Sequence, residues 1–381
     1  MLGFATVPVI NGKGKLIVDV PESQYQIYFL FSIAFASALM LNELLFKPRY
    51  SRRASVAQSV QRTFQQERLL LLASIFFVSA TAWFIVLLFM TPELFSFSSR
   101  SDFVDSKPFL YSFYLISAIF SSVLLVLAKK YRWIVLPAGF VFFDLSLGSR
   151  EFFALFLFSN VLAFMFNLGD LRLVRKLGYF VLGLFLLYFV LVYKYSYVHL
   201  HAGDYYEFFY RFINFEFVRK VFALSESAIV QGNLFLILEH NFSLSLSHLL
   251  PGLIFVTPIH RSWVGIELNP LGRKLESQVF GDLDYGIAGN LLGELYAIFG
   301  MFSIVILFLY FILFFWFINQ LLSSRDIIFR VFGFVFSFYA LFYIHRMEFY
   351  ELAGMFRILV FVCLIPYLVY LFVWSFRKGG G

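Results

Sequence analysis

Long apolar runs limit what this sequence can fold into. A helix needs about 20 predominantly apolar residues to cross the hydrocarbon core of a bilayer, and nine segments reach or approach that length. Only 14% of the residues are charged, against roughly a quarter in soluble domains. The sequence therefore predicts an all-α polytopic membrane protein, a single integral-membrane domain of about nine transmembrane helices. These predicted spans are Tyr25–Phe46, Leu69–Met90, Phe109–Ala128, Trp133–Leu147, Phe152–Leu168, Leu177–Tyr197, Asn290–Leu322, Ile327–Ile344 and Ala353–Phe376.

A long interruption, residues 198–288, separates the first six predicted spans (residues 25–197) from the last three (residues 289–376). Long connections in compact domains are usually functional or disordered, and disordered segments contain few aromatic residues. Because this segment is rich in aromatic residues, we expect a folded loop that lies partly on the membrane and covers a site. Its predicted elements are an interfacial helix over Tyr205–Leu224, a second helix over Ala228–Glu239, and a re-entrant or interfacial element over Leu249–Thr257, which two prolines flank.

The charges of the short loops predict the orientation of the chain. Loops such as Lys47–Arg68 and Lys129–Arg132 are net positive, and they alternate along the chain with net-negative connections such as Pro92–Pro108. By the positive-inside rule, the N-terminus and the large loop are external and the C-terminus is cytoplasmic. The overall charge of +7 is therefore mostly an orientation signal, and no nucleic-acid partner is predicted. Pro48–Arg68 is either a solvated loop or an amphipathic segment on anionic lipid.

The predicted topology gathers the carboxylates, histidines and anion-binding arginines on the external side. Arg150 lies in a Gly-Ser-Arg turn between two apolar helices. A charged group at membrane depth usually points into a protein cavity, and a guanidinium matches phosphate oxygens; the alternative is an arginine that extends to the interface. His345, beside Arg346, is either a candidate base or an interfacial histidine without a chemical role.

Glu294 is a carboxylate at the start of the seventh predicted span. The neighbouring Gly289 and Gly293 fit a small-xxx-small face for close helix packing, which accounts for the glycines but not for the carboxylate. The histidines, including His248, show no spacing of a zinc signature, and the single cysteine, Cys363, cannot form an intrachain disulfide. No metal or other cofactor is therefore predicted.

Two motifs carry a family resemblance. The run Gly293-Glu294-Leu295-Tyr296-Ala297-Ile298-Phe299-Gly300 opens the span that follows the large loop, and Gly148-Ser149-Arg150 closes an earlier span. With these motifs and its order of spans, the region from the fourth span to the ninth resembles the oligosaccharide repeat-unit polymerases, the O-antigen polymerase (Wzy) family of bacterial surface polysaccharide assembly. The nine predicted spans are fewer than that family usually has.

The resemblance implies a C-type glycosyltransferase in the bacterial inner membrane. Such an enzyme moves a growing glycan from undecaprenyl pyrophosphate onto a repeat unit held by a second lipid carrier, at the periplasmic face. The resemblance implies no metal and no nucleotide sugar. Its implied partners are the lipid-linked oligosaccharide, membrane lipids and a chain-length regulator protein.

The resemblance also suggests roles for individual residues. Without a metal, arginines must stabilise the departing pyrophosphate, and a positioned base must take the proton of the acceptor hydroxyl. The expected base is one of His345, Glu348 and Glu294. The residues expected to bind the pyrophosphate or the glycan are Arg150, Arg346, Arg211, Arg261, Arg273 and Tyr296.

The alternatives to this function are an O-antigen ligase, a transporter or flippase of the lipid-linked sugar, and a membrane O-acyltransferase. An O-antigen ligase would use the same lipid donor. A transporter or flippase of the lipid-linked sugar should show inverted repeats and charged groups near the midplane, whereas the sequence shows no duplication and gathers its charges on one face. A membrane O-acyltransferase would need a histidine deep within a span, and none of the six histidines lies in one.

Overall fold

The structure is a computed structural model, and almost all of the residues it describes are α-helical. The described residues are 9–10, 16–17, 22–45, 58–91, 111–147, 151–168, 185, 188–189, 192–193, 196–200, 202–214, 216–217, 234–257, 271–275, 277, 289–324, 326–339 and 347–379. The exception is one short antiparallel pair, β1 (Val9–Ile10) with β2 (Leu16–Ile17). The predicted α-helical class is therefore confirmed.

The helices follow the apolar runs of the sequence. A single-turn 3₁₀ helix precedes each of α4 and α7, and another, Gly300–Phe302, connects α9 to α10. The α-helices are α1 (Glu22–Leu45), α2 (Gln58–Met90), α3 (Tyr111–Leu127), α4 (Val135–Ser146), α5 (Glu151–Leu168), α6 (Tyr205–Ile213), α7 (Leu250–Val256), α8 (Leu271–Leu275), α9 (Leu291–Phe299), α10 (Ser303–Ser323), α11 (Ile327–Ser337) and α12 (Phe349–Gly379).

Four of the described helical segments are long and apolar enough to cross a membrane. They are Ser23–Leu45, Gln66–Met90, Leu291–Ser323 and Phe349–Phe376, and they correspond to the first, second, seventh and ninth predicted spans. The third, fifth and eighth predicted spans coincide with shorter apolar helices, and the fourth coincides with α4, which has 12 residues. Most of the sixth, Leu177–Tyr197, lies outside the described residues. The count of nine spans stays a prediction.

The chain divides into two compact units. Unit 1 comprises residues 1–49, 216–323 and 339–357, and unit 2 comprises residues 50–215, 324–338 and 358–381. Within unit 1, α1 packs along α10, where Phe35 meets the rings of Phe311 and Phe315 edge-on at 5.0 and 5.5 Å. The first of these units contains both Glu294 and Glu348.

Within unit 2, the helix α3 forms the centre of the packing. All of its residues except Ser112 are buried, which fits a helix that is apolar on all sides. It contacts α2, α4, α5 and α11, and Phe76 of α2 stacks on its Phe120 at 5.2 Å. The alternating net charge of the loops predicts the side of the membrane on which each loop lies. It does not predict which helices pack together, so the central position of α3 could not be predicted from it.

Two predicted boundaries differ from the structure. The helix α2 begins at Gln58, although the second span was predicted from Leu69, because its polar Gln, Glu and Arg residues are good helix formers. The helix α6 ends at Ile213, where Asn214 is extended, so the helix predicted over Tyr205–Leu224 is interrupted there. Residues 216–217 are helical again, and residues 218–224 lie outside the described residues. Large apolar side chains of α6, including Tyr206 and Ile213, are exposed, as an interfacial helix requires.

Candidate functional site

Three titratable side chains from three distant parts of unit 1 meet in one buried cluster. Nε2 of His248 lies 3.4 Å from Oε1 of Glu294 and 3.8 Å from Oε2 of Glu348. The side chain of His248 is 6% exposed, and those of the two glutamates are each 1% exposed. We call these three residues the His–Glu–Glu cluster. Burial of two carboxylates costs a large free energy unless they are hydrogen-bonded or paired with positive charge.

Glu294 is held by the N-terminal turns of two helices. It lies in the first turn of α9, which Asn290 caps by accepting a hydrogen bond from the backbone N–H of Gly293. Its Oε2 accepts a hydrogen bond of 2.7 Å from the backbone N–H of Phe349, the first residue of α12. Its Oε1 faces His248. Helix N-termini carry partial positive charge, which offsets part of the free-energy cost of burying the carboxylate of Glu294.

Glu348 joins α8 to the start of α12. Its Oε2 accepts a hydrogen bond of 2.9 Å from the N–H of Leu271, and its Oε1 accepts one of 3.2 Å from the N–H of Gly272. Its own N–H donates to Glu351 at 3.0 Å, and its carbonyl accepts from the N–H of Leu352 at 3.1 Å. The Glu351 side chain thus caps the backbone N–H of Glu348 from the first turn of α12, which is one half of a capping box. The side chain of Glu348 is left to accept from α8, so this residue connects two elements.

Gly289 leaves room for Glu348. A Cβ atom at this position would lie 1.8 Å from Oε1 of Glu348. Gly289 precedes α9, whose cap is Asn290. The interpretation that Gly289 and Gly293 share a helix-packing face is therefore wrong, because Gly289 lies outside the helix and permits close approach of a carboxylate.

His248 is placed by the packing of α7 against α12. It lies in the 3₁₀ turn Leu246–Leu249 that leads into α7. Gly252 of α7 lies so close to Phe349 that a Cβ atom would approach the ring to 2.3 Å, and Phe255 contacts the ring of Tyr350. This packing fixes the turn that carries the imidazole beside the first turn of α12.

Lys274 contacts the other ring nitrogen of His248. Its Nζ lies 3.3 Å from Nδ1. An ammonium group only donates, so this contact makes Nδ1 the acceptor and leaves the ring proton on Nε2, which faces the two carboxylates. The arrangement connects Lys274, His248 and Glu294 in a line along which a proton can be held or moved.

The structure brings together two of the three predicted bases, Glu294 and Glu348; the third, His345, lies outside the described residues. Tyr296 packs against a core formed by Leu236, Ile237, Leu271, Leu275 and Ala297.

The predicted anion-binding arginines are only partly described. Arg150, Arg261 and Arg346 lie outside the described residues. Arg273 is an exposed residue of α8. Arg211 belongs to unit 2, where its Nε donates to Oε1 of Glu207 at 2.9 Å, one helical turn earlier.

Two members of the site, His248 and Lys274, were not predicted from the sequence. Their partners are far away in the sequence, so no local spacing signature could reveal them. The available signal was composition alone: a histidine and a lysine in the polar loop beside short apolar elements.

The His–Glu–Glu cluster can accept or relay a proton, or its donor atoms can bind a cation. All its members lie in unit 1, and its two carboxylates stand at the N-terminal ends of two candidate membrane spans. No protein-family model, no curated protein and no solved structure matches the chain. Function is therefore proposed from the residues of the site and from the sequence resemblance.

Proposed function

We propose that this chain is an integral-membrane glycosyltransferase that polymerises lipid-linked oligosaccharide repeat units at the periplasmic face of the bacterial inner membrane. One observation carries the proposal. Glu294, from the motif on which the resemblance rests, is buried against His248 of the large loop and Glu348 at the start of the last span. The proposed enzyme would need to combine the motif segment, the large loop and the start of the last span. Side chains from these three regions meet at one acid–base cluster. The nine-span topology, with an external N-terminus and a cytoplasmic C-terminus, is part of this proposal.

Helix lengths support a site at the membrane surface. The helix α10 has 21 residues, which gives a length of about 31 Å, close to the roughly 30 Å hydrocarbon core of a bilayer. The helix α9 precedes it across Gly300, whose φ of 55° ends α9. If α10 crosses the core alone, α9 and Glu294 lie at the headgroup level, where a lipid pyrophosphate would be.

The proposed reaction is one glycosyl transfer. The hydroxyl oxygen of the acceptor repeat unit attacks the anomeric carbon of the donor glycan, and a new C–O bond forms. The bond from that carbon to the pyrophosphate breaks, and undecaprenyl pyrophosphate leaves with the electron pair. The hydroxyl proton passes to the His–Glu–Glu cluster through Oε1 of Glu294, which faces His248. Glu348, whose oxygens are bonded to α8, positions the cluster.

Arginines are proposed to bind the pyrophosphate. The leaving group is multiply charged, and preorganised donors stabilise such charge most strongly where water is excluded. Arg150 and Arg346 are assigned this role by the resemblance, and Arg211, Arg261 and Arg273 are the further candidates. Tyr296 is the proposed glycan contact.

Substitution of Glu294 by glutamine tests the proposal directly. The purified protein, incubated in detergent with lipid-linked repeat units extracted from cells of the source organism, should give a ladder of products on a glycan gel. Glu294→Gln should slow ladder formation by about 10²–10⁴-fold, because an amide cannot take the proton. Glu239→Gln, at an exposed position, is the control and should leave the ladder unchanged. Transfer to an acceptor other than a repeat unit, or no bond formation by the wild type, would reject the polymerase.

Arg150 should be needed as an arginine and not only as a positive charge. In cells, Arg150→Ala should express normally but leave surface glycan with single repeat units. Arg150→Lys should be nearly as defective, since an ammonium does not replace the bidentate fork of a guanidinium. Long glycan chains from Arg150→Ala would remove this residue from the site, and full activity of Arg150→Lys would indicate a simple electrostatic role.

A further inference from the structure

We propose that His248, Glu294 and Glu348 bind a divalent transition-metal cation, Mn²⁺ or Zn²⁺. Each residue offers one ligand atom, and these atoms all lie within 4.8 Å of one another. The separations of 3.4 and 3.8 Å from the imidazole Nε2 to the two carboxylate oxygens are close to the roughly 3.4 Å between ligands that share a metal at about 2.1 Å. Small movements would bring all three atoms to one centre.

The buried imidazole points to a ligand independently of the carboxylates. The side chain of His248 is 6% exposed, and its Nε2 has no hydrogen-bond partner among the described residues. Nε2 lies near one oxygen of each carboxylate and makes a good hydrogen bond to neither. This is the arrangement expected of three ligand atoms around one cation. Buried polar atoms in native proteins are rarely left without a partner, and a bound ion supplies one.

Charge balance favours a doubly positive ligand. Two carboxylates that are each 1% exposed give the cluster two negative charges when ionised, and burial of unbalanced charge is costly. The ammonium of Lys274 lies at the far side of the imidazole ring, on Nδ1. A divalent cation at Nε2 would neutralise both carboxylates directly.

The donor set selects the class of cation. One imidazole nitrogen with carboxylate oxygens suits Mn²⁺ or Zn²⁺, whereas Ca²⁺ and Mg²⁺ prefer oxygen alone. Three protein ligands leave positions for water or a substrate oxygen, as in catalytic zinc sites. Both carboxylates are already oriented by backbone donors, from Phe349 to Glu294 and from Leu271 and Gly272 to Glu348, as metal ligands usually are.

Lys274 opposes cation binding, and this gives the proposal a distinctive test. A histidine that binds metal through Nε2 carries its proton on Nδ1 and donates it to an acceptor. Lys274 instead presents a donor to Nδ1, so its ammonium must move away when the cation binds. A glutamine at this position could present its amide oxygen to Nδ1–H. Lys274→Gln should therefore strengthen metal binding, an effect that a purely structural lysine would not show.

The cation deepens the proposed function, and this part of the inference rests on it. A bound Mn²⁺ or Zn²⁺ would hold the acceptor hydroxyl and make its proton easier to remove. Glu294 would bind the cation through Oε1, and its other carboxylate oxygen, Oε2, would then take the proton. The binding itself is measured without any glycan, so the two proposals can fail separately. Metal binding without a ladder rejects the polymerase, and a ladder that survives chelation in a protein that binds no metal rejects the cation.

The experiment is a titration of the full chain, purified in detergent and freed of metal with a chelator. Mn²⁺ is added, free Mn²⁺ is measured by electron paramagnetic resonance, and bound Zn²⁺ is counted by mass spectrometry after gel filtration. The wild type should bind one equivalent. His248→Gln and Glu294→Gln should weaken binding by more than about 100-fold, and Lys274→Gln should tighten it by about 10-fold.

The matched control is His240→Gln, since His240 is 47% exposed and pairs with Glu239 at 3.8 Å. It should bind metal like the wild type. The proposal is overturned by a wild type that binds no stoichiometric metal, by His248→Gln binding as well as His240→Gln, or by weaker binding in Lys274→Gln. If His248→Gln fails to fold, tighter binding by Lys274→Gln beside unchanged binding by His240→Gln decides the question on folded protein.

Discussion

Gly289→Ala is expected to prevent the His–Glu–Glu cluster from assembling. The new Cβ atom would lie 1.8 Å from Oε1, 2.4 Å from Cδ and 2.5 Å from Cγ of Glu348. Movement of Glu348 would break hydrogen bonds, because both of its oxygens accept hydrogen bonds from backbone N–H groups of α8. Overpacking typically costs about 1–3 kcal/mol and occasionally more, and an approach of 1.8 Å to a carboxylate held by two hydrogen bonds belongs at the upper end. Most of the variant should be lost as aggregate when monodisperse protein is quantified by gel filtration in detergent.

Gly139→Ala is the matched control for this substitution. Gly139 lies inside α4, and a Cβ atom there would have nothing within 4 Å. Alanine favours a helix interior over glycine by about 1 kcal/mol, so this variant should be as stable as the wild type or slightly more stable. A Gly289→Ala protein with the yield and melting temperature of Gly139→Ala would contradict the described approach of Glu348 to the backbone.

Glu348→Ala is also expected to cause a large loss of stability. It removes the acceptor of the N–H groups of Leu271 and Gly272, which are buried. Each unsatisfied buried donor costs about 1–3 kcal/mol, so the two together cost about 2–6 kcal/mol. The apparent melting temperature in detergent should fall sharply, and α8 should become susceptible to limited proteolysis.

Two further variants separate this anchoring role from a loss of charge. Glu348→Gln keeps the shape and one carbonyl oxygen, so it should fall between the wild type and Glu348→Ala in melting temperature. Glu239→Ala, where the side chain is 51% exposed, should change stability by less than about 0.5 kcal/mol. Equal melting temperatures of Glu348→Ala and Glu239→Ala would show that Glu348 anchors nothing.

The helices could be predicted from the sequence, because a long apolar run is a local pattern that indicates a membrane-spanning helix. The first, second, seventh and ninth predicted spans coincide with helices long enough to cross a membrane. Their ends were less predictable, since Gln58 to Arg68 is polar and yet helical. A hydropathy pattern ends at the last apolar residue. A helix can continue beyond that point through polar residues that also favour helical backbone angles.

The site was predictable only in part. The position of Glu294 in a first helical turn follows from its own segment. Glu348 was predicted to lie in a loop before a span that begins at Ala353, whereas the helix begins at Phe349, directly after Glu348. Their meeting with His248 depends on the contact between Gly252 and Phe349, which are almost one hundred residues apart in the chain. No period or spacing records such a contact, so the partner of the two carboxylates could not be found from the sequence.

The charges of α6 determine how this helix would respond to lipid composition. Glu207 and Arg211 pair at 2.9 Å, so the helix contributes no net charge while Tyr206, Phe209 and Ile213 stay exposed. Attraction between charges weakens with ionic strength, whereas burial of apolar surface does not depend on headgroup charge. Partitioning of α6 would therefore be nearly the same on zwitterionic and anionic bilayers, and salt would not release it.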